Sequence, residues 1–395
     1  MLDDATPTVL AIASAFAIGL CAIAPEGAVT GQVPTPLVSV IRLPAGGIQP
    51  QVAVDGRGTV HVVYFKGEPA HGDLFYATLA DNGAWSVPIR VNSEPDSAIA
   101  TGTVRGAQLA IGRGGRVHVS WNGSSRANPK GPSGATPLLY AQLDPKRQAF
   151  EPQRNLIQFA TGLDGGGAIA ADSTGRVFVA WHAGGPDSKG EGDRRVWLTA
   201  SADDGATFGK ERAVSDVSTG ACGCCGMDGL VDRRGAIQFL YRSARELLNR
   251  DAYLLRSTDS GRTFVSTKLH EWSLGACPMS TFALAETGEG VVAAWETAGQ
   301  VQFARVTADG AVGRLVMAPG SERARRHPSL AVNSRGDVLL AWSEGTAWQR
   351  GGSVAWQLFD KTERATGDVR RAPGVPVWGL VAAYARRDGS FTIVY

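Results

Sequence analysis

Net charge is nearly absent from this chain: 39 Lys and Arg against 37 Asp and Glu leave +2 at pH 7. Without a field of one sign there is no electrostatic means of drawing in nucleic acid or an anionic membrane, and both are excluded as partners. Long apolar runs are also missing. The best candidate, residues 9–24, is shorter than the roughly 20 residues a spanning helix needs. It reads instead as the apolar core of a secretory signal over residues 1–28, with a small-x-small site at Ala22 and Ala24. The protein is therefore expected to be exported (periplasmic, secreted or on the cell surface), with no transmembrane anchor once the signal is removed. Asp3 and Asp4 stand where basic residues are usual, which leaves the cleavage point and the true start open. Helical periodicity is lacking throughout. Cysteine is scarce, five in all, and Cys21 leaves with the signal.

Glycine, by contrast, is abundant: 50 residues, well above the usual ~7%. Seven times a glycine opens a short apolar run that ends on Trp or Tyr, at Tyr64, Trp121, Trp181, Tyr241, Trp295, Trp342 and Tyr395, in steps of 47 to 60 residues. A second apolar segment precedes each run, joined to it by an Asp-Gly or Arg-Gly type turn, which is a hairpin signal. A period near fifty built from strands means a radial array, because one such unit cannot bury its own apolar faces. The expected fold is all-β: one closed β-propeller over residues 33–395, with seven blades favoured and six as the alternative. The last repeat stops at Tyr395, at the end of its second strand. Residues 38–43, ahead of the first repeat, are the expected donor that completes the last blade and closes the ring.

Two segments, Ser201-x-Asp203-x-Gly205-x-Thr207-Phe208 and Ser257-x-Asp259-x-Gly261-x-Thr263-Phe264, match the S-x-D-x-G-x-T-[FW] Asp box, and Asp81 to Trp85 is a worn third copy. Such a box makes a turn, with Asp bonded to backbone and Gly at positive φ. On these segments the chain resembles the sialidase-like (BNR/Asp-box) propellers over most of its length. The resemblance implies a ligand site on the face opposite the boxes. An active sialidase would show three Arg on the substrate carboxylate, a Tyr–Glu nucleophile pair and an Asp acid/base, with the first Arg in an Arg-Ile-Pro motif. Arg42-Leu-Pro44 is a near match, several residues too early. The residues just before the first strand of each repeat are Gln49, Arg105, Asp164, Cys222, Cys277, His327 and Trp378, and no evident Arg triad is among them.

Cys222, Cys224 and Cys225 precede one blade and Cys277 the next, so the period gathers all four at one side of the channel mouth. The C-x-C-C segment followed by C-P is similar to that of exported, uncharacterised members of the same group. Three readings stay open: disulfides, as an even count in an exported chain suggests; a copper or zinc site drawing on the four Cys with Met279 and His327; or a redox-active thiol set. No other cofactor is indicated.

Loops after the second strands open on the same face. Arg242, Arg245, Arg250 or Arg326 are the candidates for holding a carboxylate, with Glu246 or Asp251 for acid/base work, should the protein be a glycoside hydrolase of sialidase type. Arg105, His182, Glu296, Glu344 and Trp378 are candidate ligand contacts. The leading expectation is a monomeric module that binds a carbohydrate or another small anionic ligand at a Cys/His/Arg-lined mouth. A hydrolase and a copper- or zinc-binding protein are the alternatives.

Overall fold

The computed structural model describes residues 37–102, 106–246, 248–321 and 324–395. The segment read as a signal, Cys21 and Arg105 lie outside the described residues. Seven antiparallel hairpins form the inner half of seven blades. Their strands are Ile48–Val54 with Val60–Glu68, Gln108–Ile111 with Val117–Asn122, Thr161–Ala171 with Val177–Gly184, and Asp228–Val231 with Ile237–Arg242. Phe282–Glu286 with Gly290–Thr297, Arg325–Val332 with Val338–Glu344, and Ala382–Ala385 with Phe391–Val394 complete the set. Blades 1 and 3 to 6 each carry two further strands outside the hairpin, and blade 2 carries three. Regular helix among the described residues is limited to single 3-10 turns, and no helix is long and apolar enough to cross a membrane.

Blade 7 lacks outer strands of its own. Val38–Ile41 supplies its third strand, running parallel to Phe391–Val394, with Leu43 N donating to Tyr395 O at 2.9 Å. The segment ahead of blade 1 is thereby zipped onto blade 7, which closes the ring.

Period-two alternation explains why a ring is required. Along the second strand of blade 3, Val177, Val179 and Trp181 face blade 2, while Phe178 and Ala180 face blade 4. Each blade thus buries two faces against two neighbours, and seven separate apolar cores result, one between each adjacent pair. The aromatic that ends each second strand always lies in the core shared with the preceding blade. Trp121, Trp181, Trp295 and Trp342 are no more than 1% exposed there. Fully burying a large apolar side chain contributes about 1.5–3 kcal/mol, so each interface holds one such anchor.

Away from the mouth, arginines tie neighbouring blades together. Arg176, Arg234, Arg305, Arg335 and Arg387 each donate to a carbonyl in the hairpin turn of the following blade, at Gly235, Gly288, Gly336, Gly389 and Gly56 respectively. The turns themselves are self-satisfied: Asp55 accepts from the backbone N of Arg57 and Thr59, and Gly58 sits at φ 86°, where a side chain is disfavoured.

Both S-x-D-x-G-x-T segments fold as the turn between the third and fourth strands of blades 3 and 4, on this same end of the ring. Asp203 accepts from Thr207 N at 2.9 Å, Thr207 Oγ1 at 2.6 Å and Ser201 Oγ at 2.7 Å. Asp259 repeats the pattern with Thr263 and Ser257.

Candidate functional site

The inner strands do not enter the mouth in regular conformation. Gln49, Met279, His327 and Trp378, each just before or at the start of an inner strand, lie at φ 53°, 49°, 52° and 60°. Bulky residues seldom occupy this left-handed region, and they hold it only where surrounding structure enforces it. In blade 6 the register also slips between Arg326 and Ser329, and such a bulge re-aims side chains out of the ladder. Here it turns His327 toward the channel.

A pocket of about 270 Å³ opens at this point, lined by Met279, Arg326, His327, Trp348, Arg350 and Trp378 among others. Trp348, 60% exposed, meets Trp378 edge-to-face with centroids 4.5 Å apart and planes at 82°. The Nε of Arg326 is buried and has no hydrogen-bond partner. His327 is 5% exposed with Nδ1 3.3 Å from Thr281 Oγ1; burial, reinforced by the Arg326 charge, pushes the imidazole down to about 3. It is a neutral ring at any physiological pH.

Glu296, at the end of the second strand of blade 5, lies behind this pocket. It is 2% exposed and its Oε2 has no partner. Burial raises its carboxyl to about 7 even though Arg326 and Arg242 pull the other way; the charge of Cys225 adds to the rise. Below that pH Arg326 therefore has a neutral acid for a neighbour. Deeper in, the central channel holds a further cavity of about 180 Å³ with Gln49, Gln108, Asp228 and His327 in its wall. Burial raises Asp228 to about 7 despite the backbone donors Leu284 N and Gly229 N.

The four cysteines meet as their period predicts. Cys224 and Cys277 form a disulfide that joins blades 4 and 5. Cys222 and Cys225 are free and buried, their Sγ atoms 3.2 Å apart, and Cys222 Sγ lies 3.4 Å from Cys224 Sγ. Burial opposes ionisation of Cys225, yet the Cys222 thiol, the Arg242 guanidinium and Ser280 together hold it below the usual thiol range. The hydrogen bond with Cys225, then burial and the Cys225 charge, in turn push Cys222 up. Met279 packs against this cluster. The Sγ atoms of Cys222, Cys224 and Cys225 all lie within 4.8 Å of one another, but Cys224 is engaged in the disulfide and His327 stands outside the group.

The remaining candidates divide by burial. Arg242 is 0% exposed and engaged within the protein: Nε donates to Ser280 Oγ, and the two Nη atoms donate to the carbonyls of Arg250 and Glu296. It braces blades 4 and 5 and does not face the mouth. Arg250 is buried against Glu191 at 2.9 Å. Asp251 accepts from Trp272 N and pairs with Lys268 at 3.4 Å. Arg245 and Glu246 pair with each other at 3.4 Å on an exposed loop. Glu344 is held by Arg325, Arg371 and the Trp342 indole. His182 is wholly buried, and burial pushes it down to about 4. Thus Arg326, Trp378, His327 and Met279 come together in one pocket, Glu296 stands behind it, and the other described candidates serve the interior or the rim. Trp348, Arg350 and Asp228 escaped the sequence reading. Trp348 lies in a loop outside the repeat, where periodicity carries no information, and Asp228 carries only a single acid at the start of an inner strand.

No family model matches the sequence, and neither does any curated protein. Among solved structures, the chain is similar to the Hadza microbial sialidase Hz136 at 15% identity and TM-score 0.52, covering 85% of this chain and 75% of that one. A Dyadobacter fermentans protein of unknown function gives 15% and 0.51, covering 78% and 93%. The Penicillium chrysogenum α-L-arabinanase complexed with arabinobiose gives 14% and 0.51, covering 81% and 95%. At these identities the likeness establishes the propeller fold of this chain.

Proposed function

We propose that the protein is an exported, monomeric propeller that binds a carboxylated carbohydrate in the pocket between Trp348, Trp378 and Arg326. The observation that carries this reading is the juxtaposition of a half-open tryptophan pair with an arginine whose Nε has no partner. Sugar rings present C–H faces that pack on indole, while guanidinium matches a carboxylate with paired N–H donors. Glu296, neutral below about pH 7, leaves the Arg326 charge available to an anion. Export agrees with the disulfide, since such bonds persist in oxidising compartments.

Binding is favoured over hydrolysis because the acids expected to work on a scissile bond are otherwise placed. Glu246 pairs with Arg245 on the outer loop, and Asp251 is bonded to Trp272 N and Lys268. The test is a panel of immobilised sialylated, uronic and neutral oligosaccharides, together with a fluorogenic sialoside. Retention of carboxylated sugars without turnover is expected. Turnover that disappears in Glu246→Gln or Asp251→Asn would replace this reading with the hydrolase.

A further inference from the structure

Four sulfur atoms follow one another from solvent into the protein. Cys277 is exposed, Cys224 is 8% exposed, and Cys222 and Cys225 are fully buried. Consecutive sulfurs touch: Cys277 is bonded to Cys224, Cys224 lies 3.4 Å from Cys222, and Cys222 lies 3.2 Å from Cys225. The spacing distinguishes two uses of such a cluster. Thiolates sharing a tetrahedral zinc at about 2.3 Å each stand about 3.8 Å apart, and those on opposite sides of a linear Cu(I) stand farther still. Sulfurs at 3.2 and 3.4 Å are closer than a shared ion places them, and they stand at the approach distance for attack of one sulfur on another. Cys222 and Cys225 also have the C-x-x-C spacing of dithiol pairs.

We propose that the four cysteines form a thiol–disulfide relay, in which the surface disulfide Cys224–Cys277 exchanges with the buried pair Cys222 and Cys225 and opens that pair to thiols in solvent.

In the first step a proton passes from Cys222 to the Cys225 thiolate across their 3.2 Å contact, and the Cys222 thiolate attacks Cys224 Sγ. The Cys222–Cys224 bond forms, the Cys224–Cys277 bond breaks, and the electron pair leaves on Cys277, which takes a proton from water at the surface. Cys225 then releases its proton to water and attacks Cys222 Sγ. The Cys222–Cys225 bond forms, and Cys224 departs as a thiolate and is protonated. One disulfide is lost and one gained, one proton leaves and two are taken up, and the net proton gained neutralises the charge of the resting thiolate, so no outside oxidant is needed. The order follows exchange chemistry, in which the better-solvated sulfur is the better leaving group. Arg242 and Ser280 beside Cys225 hold the anion of the resting pair. A dithiol in solvent can then reduce Cys224–Cys277, or a disulfide can reoxidise it, while the state of the interior pair follows.

The test uses the wild-type chain in its one-disulfide form, with Cys224–Cys277 bonded and Cys222 and Cys225 as free thiols, held without oxygen or added reductant. After acid quenching, free thiols are alkylated and the remaining disulfide is located by fragmentation mass spectrometry. The relay predicts Cys222–Cys225 as a substantial product within minutes, with alkyl groups on Cys224 and Cys277, and a minor Cys222–Cys224 species. In Cys277→Ser, reduction of the oxidised buried pair by dithiothreitol should be at least tenfold slower than in the wild type. A disulfide found only as Cys224–Cys277 at all times would overturn the relay. So would a variant reduced at the wild-type rate, or stoichiometric copper or zinc on the thiols of protein purified without chelator.

Discussion

The two ends of the ring are made by the same strands, yet their polar atoms are matched to very different degrees. At the turn end, Asp203, Asp259 and Asp55 accept several local hydrogen bonds each, and five arginines reach across to carbonyls of the next blade. Thr207 and Ser201 hold Asp203 at about 2, well inside the charged range. At the mouth, Arg326 Nε and Glu296 Oε2 lack partners, and Glu296 is pushed up to about 7. Saturated polar groups lock a scaffold; unsatisfied, buried ones are tolerated where a ligand completes them. The turn end is the frame and the mouth is where chemistry is still available.

The sharpest way to break that division is to damage each part and see whether the effects separate. Trp342→Ala removes a buried anchor between blades 5 and 6 and should cost about 3–5 kcal/mol of stability by denaturant unfolding. A loss under 1 kcal/mol would mean that the interface cores do not hold the ring. Trp348→Ala should do the reverse, weakening carboxylated-sugar binding roughly tenfold to a hundredfold while the melting temperature stays within about two degrees of wild type. Equal binding in that variant would remove the indole pair from the site.

Protonation offers a third handle. Glu296 has a folded value near 7 against an ordinary 4.5, so the folded state binds the proton more tightly. Stability contributed by this group is full below about 4.5, is lost as pH rises toward 7, and is flat above; the loss is on the order of 3 kcal/mol. Glu296→Gln should flatten that limb of the stability profile. Affinity for an anion should fall over the same rise, because ionised Glu296 neutralises Arg326. His327 works in the other direction: its depressed value, about 3 against 6.5, means that stability is lost as pH falls from 6.5 toward 3. The smallest effect expected is that of Asp259→Ala, a drop of at most a few degrees in melting temperature at neutral pH and no change in binding. Its depressed carboxyl matters only at the acid end, where protonation removes its turn contacts.

How much of this was legible beforehand follows the same division. The repeat of glycine and aromatic specified the blades, because burial on two faces leaves a period-two record in every second strand. The same period brought the four cysteines together and placed Met279, His327 and Trp378 at strand entrances. Arginine was harder to read. Arg242 and Arg325 are 0% exposed, donating to interior carbonyls, while Arg326 next door lines the pocket, and nothing in residue type separates them. The bulge between Arg326 and Ser329 decides which way each points. Trp348 was invisible for a related reason: loops between second and third strands vary in length and carry no repeat.

Calorimetric titration with sialyllactose and with its neutral amide, on wild type and Arg326→Gln, tests the mouth most directly. If Arg326 reads a carboxylate, wild type binds the acid at least tenfold more tightly than the amide, and Arg326→Gln binds both equally and weakly. No measurable heat with any carboxylated sugar, or a preference that survives Arg326→Gln, would contradict the assignment of this pocket.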